Sequence, residues 1–154
     1  MRTRSTRRLA PLAVLLASFL VVAGCSDSDS DEAVVKDVIA GFFSDVAENH
    51  GTEACDRLTS GTVKLLSAVA PAAGTPATCP DDIRAANGQL SEEEKEAMKS
   101  VEVKAVTVNG DTATVNPNDV VFELGETSGP LSNVKSGPVV LRKVDDEWKI
   151  ESLG

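Results

Sequence analysis

The apolar residues of this chain change their spacing near residue 100, and that change constrains the fold more than any other feature. Up to Met98, apolar positions recur at intervals of three and four, the spacing of one face of a helix. From Val101 onward they alternate with polar residues, the spacing of a half-buried strand. Helices that precede strands, rather than alternating with them, predict an α+β domain in which the helices pack on an antiparallel sheet.

The first helix is expected from about Asp31 to Asn49, with Val34, Val35, Val38, Ile39, Phe42, Phe43 and Val46 on its apolar face. Asp31 and Glu32 suit the positive end of its dipole, and Gly51 suits a left-handed cap. A second helical region starts near Thr52 and is interrupted at Thr59-Ser60-Gly61. It resumes through Val63, Leu65 and Leu66 and breaks at Pro71-Ala72-Ala73-Gly74-Thr75-Pro76. Cys79-Pro80-Asp81-Asp82 looks like a helix start, with proline in the first turn and acids near the dipole. Ser91-Glu92-Glu93-Glu94 is a capping-box pattern for a short helix through Met98.

In the second half, Val101-Glu102-Val103 and Val106-Thr107-Val108 alternate, but their phase slips near Lys104-Ala105, which predicts a bulge or a sharp bend. Asn109-Gly110 predicts a two-residue hairpin turn before a return strand from Asp111 to Val115. Val120, Phe122 and Leu124 mark a further strand. Gly125 to Gly137 is polar and glycine-rich, and is expected to be a loop. The closing hairpin runs from Val139 to Val144 and from Glu147 to Leu153. With Asp145-Asp146 as its turn, Leu141 faces Ile150 and Lys143 faces Trp148. Val139, Leu141, Trp148 and Ile150 then share the buried face, while Arg142, Lys149 and Glu151 lie on the wet one.

The N-terminus carries information of another kind. Arg2, Arg4, Arg7 and Arg8 precede an apolar run from Leu9 to Val22, the pattern of an export signal. The run is too short for a comfortable membrane span, which needs about 20 apolar residues. Thr6-Arg7-Arg8-Leu9 fits a twin-arginine export motif poorly, so general secretion is expected. Val22-Ala23-Gly24-Cys25 resembles a bacterial lipobox. That resemblance implies cleavage before Cys25 and a diacylglyceryl group on its sulfur, whose two acyl chains suffice for stable anchoring. An ordinary secretory signal that happens to contain a cysteine is the alternative. The expected organisation is a signal peptide at 1–24, a lipidated cysteine with a flexible acidic tether at 25–31, and a single domain at 32–154. Cleavage leaves 130 residues, enough to bury a core.

Charge excludes one class of partner. The net charge is −9, and losing the four leader arginines takes it to −13, a surface that repels phosphate backbones. Nucleic acid is therefore not an expected partner, and the scarcity of aromatic residues also argues against base stacking. With Cys25 acylated, Cys55 and Cys79 remain. In an oxidising exterior this pair reads as one disulfide, with two buried free thiols as the alternative. Neither cysteine has a second cysteine or a histidine at ligand spacing. Asp27, Asp29 and Asp31 alternate like the start of a calcium loop, but the glycine and the terminal glutamate of such a loop are missing. No metal or other cofactor is expected.

The order of a long amphipathic helix, shorter helices and a meander ending in Trp148-Lys149-Ile150 resembles the nuclear-transport-factor-2-like family. Many exported lipoproteins of high-GC Gram-positive bacteria share this layout, often with two cysteines among the helices. The resemblance implies a cone in which a curved antiparallel sheet of about four to five strands wraps the long helix and leaves an open mouth. Phe122 and Trp148 then belong to the core or to a pocket wall. If the cone holds a cavity, Phe42, Phe43, Phe122, Leu141, Trp148 and Ile150 are its candidate lining. Relatives of this kind include isomerases, cyclases and binding domains, so the fold does not choose a function.

Catalytic signals are sparse. The single histidine, His50, sits in a helix-end turn and reads as a solvated capping residue. Glu102 and Glu123 alternate away from the neighbouring apolar side chains and are expected in solvent. No serine lies in a nucleophile elbow, and no glycine-rich phosphate loop carries a lysine. No catalytic residue is assigned. The expected protein is a non-enzymatic binding or accessory domain, lipid-anchored at the outer face of the cytoplasmic membrane. Its expected partner is an envelope protein or a small apolar ligand. Two alternatives stand beside this: an isomerase- or cyclase-like enzyme with a buried carboxylate, and a purely structural envelope protein without a pocket.

Overall fold

The computed structural model describes residues 27–69, 78–124, 127–131 and 137–154. The leader, Cys25 and the proline-rich break at 71–76 lie outside these residues. Among the described residues the fold is α+β: five α-helices precede seven strands in two antiparallel sheets, with a 3₁₀ turn at Pro117–Asp119 among the strands.

Helix α1 spans Asp27–Ala47. It therefore takes in residues 27–31, which the sequence suggested as tether, and Asp31 lies in its second turn rather than at its start. The apolar stripe buries Val35, Ile39, Phe42, Phe43 and Val46. Val34 departs from the expected inward face and is 43% exposed. The helix ends at Asn49, whose φ is +62°, so asparagine rather than Gly51 adopts the left-handed cap conformation. The Asn87 side-chain amide donates to the carbonyls of Val46 and Ala47 at 2.9 and 2.8 Å, satisfying two acceptors that the helix end leaves open.

Helix α2 (Gly51–Asp56) begins with Gly51 for a different reason. A Cβ on Gly51 would sit 2.8 Å from the Pro80 carbonyl oxygen and 3.0 Å from its Cα. Glycine here permits close approach of α4 (Cys79–Asn87). The Cys55–Cys79 disulfide joins the same two helices, with Cα atoms 6.1 Å apart. Helix α3 covers Ser60–Val69 and α5 covers Glu92–Lys99. The expected capping box of α5 is present. The Ser91 backbone N–H and hydroxyl both donate to the Glu94 carboxylate, and the Glu94 N–H donates back to Ser91 Oγ. These bonds hold the Glu94 carboxyl below its ordinary pKa.

The strands are β1 (Glu102–Val103), β2 (Thr107–Asn109), β3 (Thr112–Val115), β4 (Val120–Leu124), β5 (Thr127–Pro130), β6 (Val139–Val144) and β7 (Glu147–Leu153). The first sheet has the order β1-β4-β5 and the second β2-β3-β6-β7. This replaces the expected single sheet of four to five strands. The phase slip at Lys104-Ala105 is the point where the chain leaves one sheet for the other. Strand β1 (Glu102–Val103) pairs with β4 (Val120–Leu124), whereas β2 (Thr107–Asn109) pairs with β3 (Thr112–Val115). Asn109 pairs with Thr112, so the turn residues are Gly110 and Asp111, one position later than expected. Gly110 takes a φ of +58° at the first turn position, where a type II′ hairpin favours glycine. Part of the expected loop at 125–137 is a strand: β5 (Thr127–Pro130) pairs with β4, and Leu131 enters the core.

The closing hairpin has the expected register. Leu141 on β6 (Val139–Val144) faces Ile150 on β7 (Glu147–Leu153), and Lys143 faces Trp148. Asp145 and Asp146 have φ values of +51° and +65°, as a type I′ turn requires. The register shifts between Val140 and Leu141 and leaves Glu151 unpaired, a bulge that bends the strand. The free edge of β7 is covered at Ile150. Its N–H donates to Arg57 and its carbonyl accepts from Thr59, so the segment after α2 acts as a one-bridge parallel strand. Helix α1 packs on α2, α4 and α5 and on strands of both sheets.

Two tests address the α2–α4 junction. Reducing the Cys55–Cys79 bond is expected to lower the unfolding free energy by about 3.5 kcal/mol, from closure of a loop of about 25 residues; urea titrations with and without reductant measure it. Gly51→Ala is expected to cost roughly 1–3 kcal/mol, because backbone at Pro80 must move to admit the methyl group; equilibrium unfolding of the oxidised variant checks it.

Candidate functional site

Val34 and Val38 lie four residues apart on α1, so their side chains stack along one face. Neither is fully covered. They form part of the floor of a groove between α1, α2 and the tip of the β6–β7 hairpin. Trp148, only 4% exposed, borders the floor from the core side. Glu53, Asp56 and Arg57 form the α2 side, and Asp146, Glu147 and Lys149 form the hairpin side. The groove encloses about 470 Å³ and opens to solvent, within the size range of small-ligand sites.

Asp31 fixes the tryptophan. Its carboxylate accepts the Trp148 indole N–H at 2.9 Å and two contacts from Lys143 Nζ at 3.1 and 3.2 Å. Lys143 also lies 5.5 Å from the Trp148 ring centroid, within cation–π range. The hydrogen bond from Trp148, followed by that from Lys143, holds the Asp31 carboxyl below its ordinary pKa, although partial burial acts in the opposite sense. The latch joins residues 117 apart in sequence, one turn of α1 before the groove floor.

The two cations of the lining already have partners. Arg57 Nε donates to Asp45 Oδ2 at 2.6 Å. Its guanidinium lies against Gly41, where a Cβ would come within 2.5 Å of Arg57 Cζ. Lys149 Nζ donates to the Asp56 carbonyl at 2.8 Å and pairs with Glu147 at 2.7 Å. That hydrogen bond holds the Glu147 carboxyl below its ordinary pKa. The carboxylates of Glu53, Asp56 and Asp146 are exposed and, among the described residues, have no ion-pair or hydrogen-bond partner. The lining therefore presents an apolar floor beneath three unneutralised negative charges.

The candidate lining residues separate into two groups. Trp148 lines the groove. Phe42, Phe43, Phe122, Leu141 and Ile150 are not among the residues lining this groove; Phe122 is half-buried and the other four are buried. Phe43 stacks edge-on against Phe42 and Phe122, with ring centroids 5.5 and 5.2 Å apart, and Leu141 and Ile150 are fully buried. His50 precedes α2, its side chain 53% exposed and 3.5 Å from Glu48; it is not among the groove residues. Glu102 and Glu123 are exposed, as alternation predicts. Cys25 lies outside the described residues. Among the described residues no polar or charged residue is buried, no group of three or more side chains is arranged to hold a metal, and no helix is long and apolar enough to cross a membrane.

Sequence reasoning did not single out Arg57, Glu53, Asp56 or the latch function of Asp31. Each depends on a contact between α1 or α2 and the distant hairpin, for which no local pattern exists. Comparison of the chain with protein-family models, with curated proteins and with solved structures finds no match.

The Asp31 latch has a pH signature. Its carboxyl is more acidic folded than unfolded, so it stabilises the fold above an ordinary aspartate pKa of 3.8. That contribution disappears as pH falls through the depressed folded value. Asp31→Asn is expected to lower the urea midpoint at neutral pH and to alter the Trp148 emission. The gap between variant and parent should close as acid is added below pH about 4; a gap that is constant with pH would contradict the latch.

Proposed function

We propose that this chain is a lipid-anchored extracytoplasmic protein whose domain serves as a non-enzymatic binding or accessory module for an envelope protein or a small apolar ligand. The observation that carries the binding reading is the solvent-open groove whose floor exposes Val34 and part of Val38, with the buried Trp148 beneath them. Exposed apolar surface in a concavity gains free energy when an occupant removes it from water. A purely structural role needs no such concavity, and an isomerase-like role needs a carboxylate within the apolar interior.

Anchoring rests on Val22-Ala23-Gly24-Cys25 at the end of the apolar leader. The Cys55–Cys79 disulfide suits the oxidising exterior that such anchoring implies. Support for a nuclear-transport-factor-2-like cone comes from the long α1, which packs on strands of both sheets, and from the bulge that bends β7. Helix α1 begins at Asp27, two residues after Cys25. With about 3.5 Å per extended residue and 1.5 Å per helical residue, Val34 is within roughly 20 Å of the acylated sulfur. The groove then operates beside the bilayer surface.

In a bacterial host, the full chain is expected to enter the detergent-rich phase on temperature-induced phase separation, with a diacylglyceryl mass on Cys25. Cys25→Ser is expected to move it to the aqueous phase. A parent protein that stays aqueous with an unmodified sulfur would refute the anchoring.

A further inference from the structure

We infer that the groove selects a cationic occupant: a short segment of an envelope partner in which lysine or arginine flanks an apolar side chain. The inference rests on the binding reading above and narrows it. Three observations carry it together. First, the floor is apolar, with Val34 exposed to solvent and Val38 partly so. An apolar side chain laid on these two valines removes both surfaces from water, above a Trp148 that the core already covers.

Second, the charges of the lining do not cancel. Arg57 is engaged by Asp45 from behind the groove and Lys149 by Glu147 within it. Glu53 and Asp56 on α2 and Asp146 on the hairpin turn remain without a cation. These three carboxylates stand on opposite sides of the apolar floor, so an occupant with positive charge on either side of an apolar centre meets complementary groups on both rims. An anionic occupant meets the same three charges as repulsion, because the two cations that would receive it are already paired.

Third, the floor is held in place before anything binds. The indole of Trp148 is tied to Asp31 and the Arg57 wall to Asp45. Little side-chain freedom is then left to lose on binding, which favours recognition by a small site. The net charge of the whole chain, −9, has the same sign as the rim and steers a basic segment toward it.

The chain has a single tryptophan; it is buried but borders the groove, so its emission senses a change of charge or packing there. The test titrates the full chain, in nonionic detergent, with three blocked tetrapeptides: Lys-Leu-Leu-Lys, Ser-Leu-Leu-Ser and Glu-Leu-Leu-Glu. The lysine peptide is expected to shift Trp148 emission saturably, and the glutamate peptide to bind at least about tenfold more weakly. The variant E53Q/D56N/D146N should weaken the lysine peptide by about tenfold. The control E93Q/E102Q/E123Q removes as many exposed charges away from the groove and should change it by less than about twofold.

Equal losses in the two triple variants would overturn the inference, since bulk charge would then explain the binding. Equal affinity of the serine and lysine peptides would overturn charge selection and leave the groove as a binding site. Silence of Trp148 toward all three peptides would remove the inference and the groove reading together.

Discussion

The apolar stripe of α1 is the constraint on which the rest of the structure depends. Val35, Ile39, Phe42, Phe43 and Val46 are buried along one side of the helix, each contributing roughly 1.5–3 kcal/mol relative to exposure. Two small sheets, one of three strands and one of four, share this single apolar partner. Neither sheet buries its inner face without the helix, and the helix has no reason to adopt its place without both sheets. The aromatic chain from Phe42 through Phe43 to Phe122 extends the same contact from α1 into the smaller sheet.

The groove follows from what this stripe leaves uncovered. Seven apolar residues on a helix span more arc than a single packing partner covers. The deepest of them meet the sheets, and Val34 and Val38 fall at the margin. Helix α2 and the β6–β7 hairpin frame that margin from two sides and meet where Lys149 Nζ donates to the Asp56 carbonyl. The Asp31 latch and the Arg57–Asp45 pair hold those two walls to α1. Both are charge-assisted contacts at the border of the core, where they act more on geometry than on total stability. An acidic rim on an apolar floor is therefore a consequence of how the helix edge is framed.

Local chemistry was legible where it is self-contained. Ser91 and Glu94 lie one turn apart and satisfy each other's backbone neighbours, so their capping box needs no knowledge of the fold. The Asp145-Asp146 turn fixes the register that pairs Leu141 with Ile150, because a two-residue hairpin permits no other. The cysteine pair was legible because an expected oxidising exterior leaves Cys55 and Cys79 as an even pair once Cys25 is set aside. Other features failed for identifiable reasons. Gly51 and Asn49 compete for the same cap, and the decision falls to Pro80, which needs the space beside Gly51. The slip at Lys104-Ala105 was visible as a break in alternation, but a bulge and a change of sheet produce the same pattern. The polar stretch after Gly125 carries a strand because β4 has a free edge to pair.

By itself, the amino-acid sequence determined the succession of helices and strands, the closing hairpin, the disulfide partners and the acidic character of the surface. All of these arise from spacing, turn chemistry and composition, which act over a few residues or over the chain as a sum. Tertiary structure alone decided that the described strands form two sheets and that Asp31 meets Trp148 across 117 positions. It also decided that Glu53, Asp56 and Asp146 stand around one apolar floor. The reason is physical: burial and pairing between distant segments depend on which surfaces compete for the same space, and no stretch of residues carries that outcome within itself.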